Sequence, residues 1–481
     1  MTIHFETLGC RLNHDETEGA AQCFLRSGFN IDMEGLTAAS SEQPETVLGV
    51  INTCTVTGKA EQKARRLIRL MLQKLPSAIV LVTGCYAELD AEQIEQLCPD
   101  RIVVLPGRIK YTLAAVAQAM KKEGRLSVSQ GFFSRNALDA FLKAPVSSSK
   151  AIYSPIKKLD AFSLYTPVFE QHSRASIKIE DGCNNACTYC RIRLARGKAV
   201  SLPVEEIVNR ISELEHKGMN EVVFTGVNLS QYAGTGNDGR RHSFTELLEI
   251  LLERTEQIKF RVSSFYPQHV TDELAKVLAS PRVQPSFHLS VQSGSDRILS
   301  LMARPYKANT VLQAAELLRN AKGNPFLSCD IIAGFPDEQE DDFTQTLELC
   351  NAIGFSWIHA FPFSPRPGTL AQKMHPQIPE RIKGERVKQL TDLAVNGKTA
   401  YCTSFIGRPL SAIVENSRTL RRSEDGKAPT VLHCVSENFL HIECPLNEPT
   451  TPGSLIEVKI ESVLEKNIKT GKEIDCRGTV L

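Results

Sequence analysis

From Ile3 to Phe361, short apolar runs alternate with amphipathic stretches, and this alternation constrains the fold more than any other feature of the chain. Strand signals separated by helix signals require crossover connections, and hence a parallel α/β sheet. In the first part, strands are predicted at Ile3–Leu8, Val47–Asn52, Ala78–Thr83 and Ile102–Leu105. Helical stretches are predicted at Asp15–Ser27, Lys59–Lys74, Ala91–Leu97 and Tyr111–Lys122. In the middle, strands are predicted at Ala175–Ile179, Glu221–Phe224, Lys259–Val262, Ser286–Val291, Phe326–Ile332 and Trp357–Phe361. Helical patterns such as Val204–Lys217, Phe244–Arg254, Asp272–Leu278, Asn309–Lys322 and Glu340–Ile353 lie between them. Six such units predict a full or partial (β/α) barrel, whose working face is the carboxyl end of its strands. From Ser404 the pattern changes to Val, Ile and Thr with turn signals such as Glu424-Asp425-Gly426 and Thr451-Pro452-Gly453. A small β-barrel is expected there. The expected class is therefore α/β, divided into an N-terminal parallel α/β domain at 1–142, a linker at 143–172, a barrel at 173–402 and a small β-barrel at 403–481.

The charges exclude one class of partner surface. Lys plus Arg number 56 and Asp plus Glu 55, so the net charge of +1 argues against a uniformly basic coat, though local patches can still bind nucleic acid. Fourteen cysteines in 481 residues are too few for a disulfide scaffold. The opening MTIHFETLGC lacks a signal-peptide pattern, and no window approaches ~18 apolar residues, so no membrane span is expected. A reducing, cytoplasmic setting is expected, in which cysteines serve as ligands, nucleophiles or core.

The cysteines then sort themselves by position. Cys183-Asn-Asn-Ala-Cys187-Thr-Tyr-Cys190 places three thiols on one loop after the first predicted barrel strand. Structural zinc wants four ligands; three thiolates instead suit a cubane cluster with one iron left open for a substrate or cofactor. Tyr189, just before the last thiol, is placed to pack against an adenine. A second set is distributed: Cys10, Cys54 and Cys85 each follow a different predicted strand of the first domain. Carboxyl ends of parallel strands converge on one crevice, so these three can meet there and hold a second cluster. Taken alone, they are equally well read as buried core thiols. The other eight cysteines lack partner spacing and read as core.

The C-x3-C-x2-C loop resembles that of the radical S-adenosylmethionine superfamily. The words Thr7-Leu8-Gly9-Cys10-Arg11-Leu12-Asn13, Asn52-Thr53-Cys54-Thr55-Val56-Thr57 and Thr83-Gly84-Cys85 resemble the N-terminal domain of its methylthiotransferases. Asp181-Gly182-Cys183-Asn184-Asn185, Thr225-Gly226-Val227-Asn228, Val291-Gln292-Ser293-Gly294-Ser295-Asp296, Asp330-Ile331-Ile332-Ala333-Gly334-Phe335-Pro336 and Phe363-Ser364-Pro365-Arg366-Pro367-Gly368-Thr369 are similar to the family's radical domain, and the tail to its RNA-binding TRAM domain. The wording around Cys10 and Cys54, with Ala195-Arg196-Gly197, is most like the kind that acts on threonylcarbamoyladenosine in tRNA. Other kinds act on isopentenyladenosine in tRNA or on a ribosomal protein aspartate. After Cys190 the family usually continues with apolar residues and Pro-Tyr, whereas this chain reads Arg191-Ile192-Arg193-Leu194.

The resemblance implies a transferase with two [4Fe-4S] clusters and S-adenosyl-L-methionine (SAM). Cys183, Cys187 and Cys190 would hold the radical cluster, and Cys10, Cys54 and Cys85 the auxiliary one, all six being catalytic. Tyr189, Gly226, Asn228, Ser264, Gln292, Ser293 and Gly334, at or near the expected strand ends, are assigned to SAM. The implied reaction replaces the C2 hydrogen of the modified adenosine at position 37 by a methylthio group. Implied partners are the anticodon loop of tRNA and a one-electron reductant such as flavodoxin or ferredoxin. Arg191, Arg193, Arg196 and Lys198, a basic burst beside the cluster loop, are expected to contact RNA phosphates. A reading of another class, a two-cluster electron carrier or redox sensor, would need neither the six-unit barrel nor the tail.

Overall fold

The computed structural model describes residues 1–123, 138, 160–165, 173–419, 430–446 and 450–481. Most of the expected linker, including 143–159 and 166–172, lies outside these residues.

In the first part, β1 (Thr2–Thr7), β2 (Asn30–Asp32), β3 (Thr46–Thr53), β4 (Ile79–Gly84) and β5 (Ile102–Val104) form a parallel sheet in the order β2-β1-β3-β4-β5. The apolar runs of β3 and β4 are buried from end to end, as a sheet covered on both faces requires. Helix α1 (Arg11–Arg26) follows β1, and α2 (Gly58–Lys74) follows β3, capped by Thr57, whose hydroxyl accepts from the Ala60 amide at 3.1 Å. From β1 the chain turns outward to β2 and then returns to β3 on the other side. The crevice at this reversal is where ligands bind in open α/β sheets. The helix predicted at Ala91–Leu97 is shorter, Ala91–Glu95, and a further short helix, Cys85–Leu89, precedes it, the two divided where Asp90 leaves helical geometry.

The middle holds six parallel strands in two sheets of three. Ala175–Lys178, Glu221–Thr225 and Lys259–Val262 form one; Ser286–Gln292, Phe326–Ala333 and Trp357–Pro362 form the other. Isolated parallel bridges, Phe260 to Val283 and Phe265 to Leu289, join the sheets, and among the described residues the first and last strands do not pair. This is an open, partial barrel. A 24-residue helix, Glu380–Thr403, packs on its last strand; the sequence reading did not anticipate it. Its inward face buries Lys383 and Arg386 along with Leu390, Ala394 and Val395, so charged residues interrupt the apolar stripe that would announce it.

The tail is a closed barrel, in which Pro409–Thr419, Thr430–Ser436, His441–Leu446, Cys476–Val480 and Leu455–Val463 follow one another round the ring. Alternate residues, among them Leu432, Cys434, Ile442, Cys444, Val458 and Ile460, fill its interior. The first two parts meet through α1, where the Asp15 carboxylate accepts from Ser176 Oγ at 2.8 Å and Thr225 Oγ1 at 2.9 Å. No helix of the described residues is long and apolar enough to cross a membrane.

Candidate functional site

Two asparagines and two glycines assemble the distributed thiols. Asn13, buried in α1, donates to the Leu8 carbonyl at 2.8 Å and the Thr53 carbonyl at 3.2 Å, while Asn52 donates to the Asn13 carbonyl at 3.0 Å. These bonds tie the end of β1 to that of β3. Gly9, at φ +112°, lies where an added Cβ would sit 2.6 Å from Cys54 Cβ. Gly84, at φ +97°, lies where one would sit 2.4 Å from both Asn52 Oδ1 and the Thr53 carbonyl oxygen. Only glycine permits this backbone and this approach together. Cys10 therefore stands at the N-cap of α1, Cys54 just beyond β3 and Cys85 at the start of its short helix, close enough to influence one another electrostatically.

The second set is local. Cys183, Cys187 and Cys190 follow Ala175–Lys178 at the barrel's carboxyl face. Asn228 Nδ2 lies 4.0 Å from Cys183 Sγ, the Ile192 amide donates to Cys190 Sγ at 3.4 Å, and Arg304 Nη1 lies 3.3 Å from Cys187 Sγ. Burial pushes the Cys190 thiol up to about 12 and that of Cys54 up to about 11, so metal loading must displace protons.

Arg304 escaped the sequence reading. Its guanidinium also donates to Tyr306 Oη at 2.7 Å, Tyr266 Oη at 2.8 Å and the Ser290 carbonyl at 2.9 Å, which locks it beside Cys187. No spacing marks it, because its partners come from separate strand ends. A cavity of about 240 Å³ opens here, lined by Tyr189, Cys190, Gln292, Arg304 and Asp330 from the barrel and by Val56 and Thr57 just after Cys54. The loops of both thiol sets thus border one space.

The other expected site residues separate. Tyr189 packs edge-on to Phe335, and Gln292 takes the left-handed φ of +72° in the cavity wall. Gly226 leaves room for the Glu180 carboxylate, which accepts the Asn228 amide at 2.7 Å. Burial pushes Glu180 up to about 8. Ser264 is half-buried after strand Lys259–Val262. Ser293 and Gly334 lie off the cavity lining. The Ser293 hydroxyl is fully buried against Thr346 Oγ1 at 3.3 Å, and Gly334 lies under Lys383 of the long helix, so neither faces the cavity.

The basic burst also divides. Arg196 is buried and donates to Glu16 at 3.1 Å, Asp181 at 2.9 Å and Asn13 Oδ1 at 2.8 Å. Arg191 is buried and pairs with Glu61 at 3.1 Å and Asp90 at 2.9 Å. Both guanidiniums bind carboxylates of the N-terminal domain, which corrects the expectation that they meet RNA. Arg193 and Lys198 are exposed. Around Arg196, Lys110 and Lys178 also face Glu16 and Asp181, giving three cations to two carboxylates beside Cys10 and Cys85. Burial nonetheless pushes the Cys10 thiol above its ordinary value, and the Arg196 charge only partly opposes this.

Residues 177–350 match the model of the Radical SAM superfamily, and residues 2–105 that of the uncharacterized protein family UPF0004. The threonylcarbamoyladenosine tRNA methylthiotransferase MtaB of Treponema pallidum (strain Nichols) is 44% identical over 96% of this chain and 98% of its own length. The chain belongs to the MtaB type of the radical SAM methylthiotransferases. The MtaB protein of Bacillus subtilis (strain 168) is 33% identical over 95% of this chain and 93% of its own. A tRNA-2-methylthio-N(6)-dimethylallyladenosine synthase of Treponema denticola is 31% identical over 88% and 90%. Members of this family use SAM and [4Fe-4S] clusters. The residues fit those groups: the cavity is bordered by Cys190 of the local set and by Val56 and Thr57 just after Cys54 of the distributed set, and Glu180 Oε1, Asn228 Oδ1 and Ser263 Oγ are buried near the barrel's carboxyl face without a hydrogen-bond partner.

Proposed function

We propose that this chain replaces the C2 hydrogen of N6-threonylcarbamoyladenosine at position 37 of tRNA with a methylthio group. The observation that carries the reading is one cavity bordered by loops of two three-thiol sets, at Cys190 and just after Cys54, in a chain that matches a protein of that name over nearly its whole length. Cys183, Cys187 and Cys190 would hold the radical cluster, with SAM in the cavity; Cys10, Cys54 and Cys85 would hold the auxiliary cluster. The bound groups supply one-electron cleavage of SAM to a deoxyadenosyl radical, together with the sulfur and methyl that are transferred.

This chain's residues bind, orient and shield. Arg304 lies against Cys187 and, held by two tyrosines and a carbonyl, keeps a fixed positive charge at the cluster edge. Asn228 and Glu180 border Cys183 with unpartnered oxygens suited to the ammonium end of SAM. Tyr189, Tyr266, Phe361 and Phe363 wall the cavity with aromatic surface, which excludes water from a radical. Arg196, Lys110 and Lys178 offset the negative charge of the auxiliary thiolates.

The substrate base must leave its stack to reach the cavity, which suits the anticodon loop. Exposed cations that can meet its phosphates are Arg193, Lys198 and the outward face of α2, with Lys59, Lys63, Arg66 and Arg69. A soluble one-electron donor, flavodoxin or ferredoxin in class, supplies electrons. Mass spectrometry of tRNA nucleosides from cells with and without the gene tests the reading. Loss of the methylthio-threonylcarbamoyl nucleoside supports it; its persistence, or loss of the isopentenyl counterpart instead, overturns it.

A further inference from the structure

Away from the cysteines, the outer wall of the small barrel carries four metal-ligating side chains in one cluster. They are Glu415 on strand Pro409–Thr419, His433 on Thr430–Ser436, His441 at the start of His441–Leu446, and Glu473 in the loop before Cys476–Val480. One ligand atom from each lies within 4.8 Å of all the others. His433 Nε2 and His441 Nδ1 are 3.1 Å apart, Glu415 Oε2 is 3.8 Å from His433 Nδ1, and Glu473 Oε1 is 3.8 Å from His441 Nδ1. The pairing of Val435 with His441 and of His433 with Glu443 sets the two imidazoles diagonally across adjacent strands. With Leu432, Cys434 and Ile442 filling the interior, both rings point outward on one side.

A direct imidazole–imidazole bond satisfies one atom of each ring and neither carboxylate, since 3.8 Å is too long for a hydrogen bond. An ion held at about 2.0–2.2 Å by two imidazoles and two carboxylates, with ligand atoms about 3.3–3.5 Å apart, satisfies all four. A supporting shell is present. Arg174 binds the other oxygen of Glu415, which leaves Oε2 turned to the histidines. The neighbouring cations are already matched, Lys398 by Asp475 at 2.6 Å and Arg261 by Glu221 at 2.7 Å. His441 and Glu473 also wall a cavity of about 240 Å³ between the two barrels, which gives an entry path.

We propose that Glu415, His433, His441 and Glu473 bind one divalent ion of the zinc class, which clamps three strands and a loop of the small barrel on the side that packs against the central barrel. Four nitrogen and oxygen ligands without a thiol make a closed, structural site. The test uses full-length protein carrying both iron–sulfur clusters. It is stripped with a chelator, reloaded with zinc and desalted, then read by elemental analysis and zinc-edge X-ray absorption. About one zinc per chain is expected, with only nitrogen and oxygen neighbours near about 2.0–2.1 Å. Glu473→Gln, at an exposed position, is expected to weaken zinc affinity about tenfold or more, and His441→Ala to abolish retention, with iron content and SAM cleavage unchanged. Retention below about a tenth of an equivalent by the unmodified protein, sulfur neighbours near about 2.3 Å, or equal affinity in Glu473→Gln would overturn the proposal.

Discussion

The two thiol sites present the same three-ligand chemistry built in opposite ways. Cys183, Cys187 and Cys190 share one loop, which the remainder of the chain supports through Arg304 and Asn228 at the thiols and through Gln231 and Leu301 at the residues between them. Cys10, Cys54 and Cys85 share nothing but a sheet edge, and meet because Asn13, Asn52, Gly9 and Gly84 draw three strand ends together. A loop site fails one ligand at a time. An assembled site fails when its scaffold moves, even with every ligand intact.

The largest test of that difference removes a loop ligand. Cys187→Ala is expected to reduce SAM cleavage to background while about four irons per chain remain on the assembled site. Loss of all iron would show instead that the sites are not separable. Next comes Gly84→Ala, which leaves all six cysteines in place. A Cβ there collides with Asn52 and Thr53 on a left-handed backbone, at a strain of about 1–3 kcal/mol. Auxiliary iron should be lost while reductant-dependent SAM cleavage persists. Full retention of both clusters would break the argument for a scaffold-dependent site.

Arg196→Ala probes the seam between the parts. It strips the buried Glu16 and Asp181 of a shared partner, and a loss of about 3–5 kcal/mol is expected by denaturant midpoint. The seam also has a pH signature. Burial pushes Asp15 up to about 6, against an ordinary value near 4. For an acid raised in this way, the stabilising contribution is complete below its ordinary value and is lost as pH rises through about 6. That loss is on the order of 2–3 kcal/mol, and Asp15→Asn should flatten the stability profile between about pH 4 and 7. The smallest expected effect is that of Arg193→Glu. It should weaken tRNA binding several-fold at low salt and leave SAM cleavage without tRNA unchanged, as measured by filter binding and nucleoside release.

Legibility followed the same division. The loop site was readable because its spacing is local. The assembled site was readable only through the prediction that strands end at Gly9, Thr53 and Gly84, and taken alone its cysteines looked like core. Arg191 and Arg196 were misread because a basic residue beside a cluster looks alike in sequence whether it meets phosphate or a distant carboxylate. Their partners Glu61 and Glu16 lie 130 and 180 positions away. Arg304 gave no signal, as its contacts exist only in three dimensions. Ser293 and Gly334 sit next to the predicted strand ends, yet the backbone turns one toward Thr346 and the other beneath Lys383 of the unanticipated helix.

The central claim is that both thiol sites serve one modified adenosine in the cavity that Cys190 and the loop after Cys54 border. The most direct measurement incubates protein carrying both clusters with SAM, reductant and tRNA bearing threonylcarbamoyladenosine, then quantifies nucleosides by mass spectrometry. Accumulation of the methylthio-threonylcarbamoyl nucleoside together with 5′-deoxyadenosine, abolished in both Cys187→Ala and Cys54→Ala, is the expected result. Deoxyadenosine without modified nucleoside, while tRNA bearing isopentenyladenosine is converted, would contradict it.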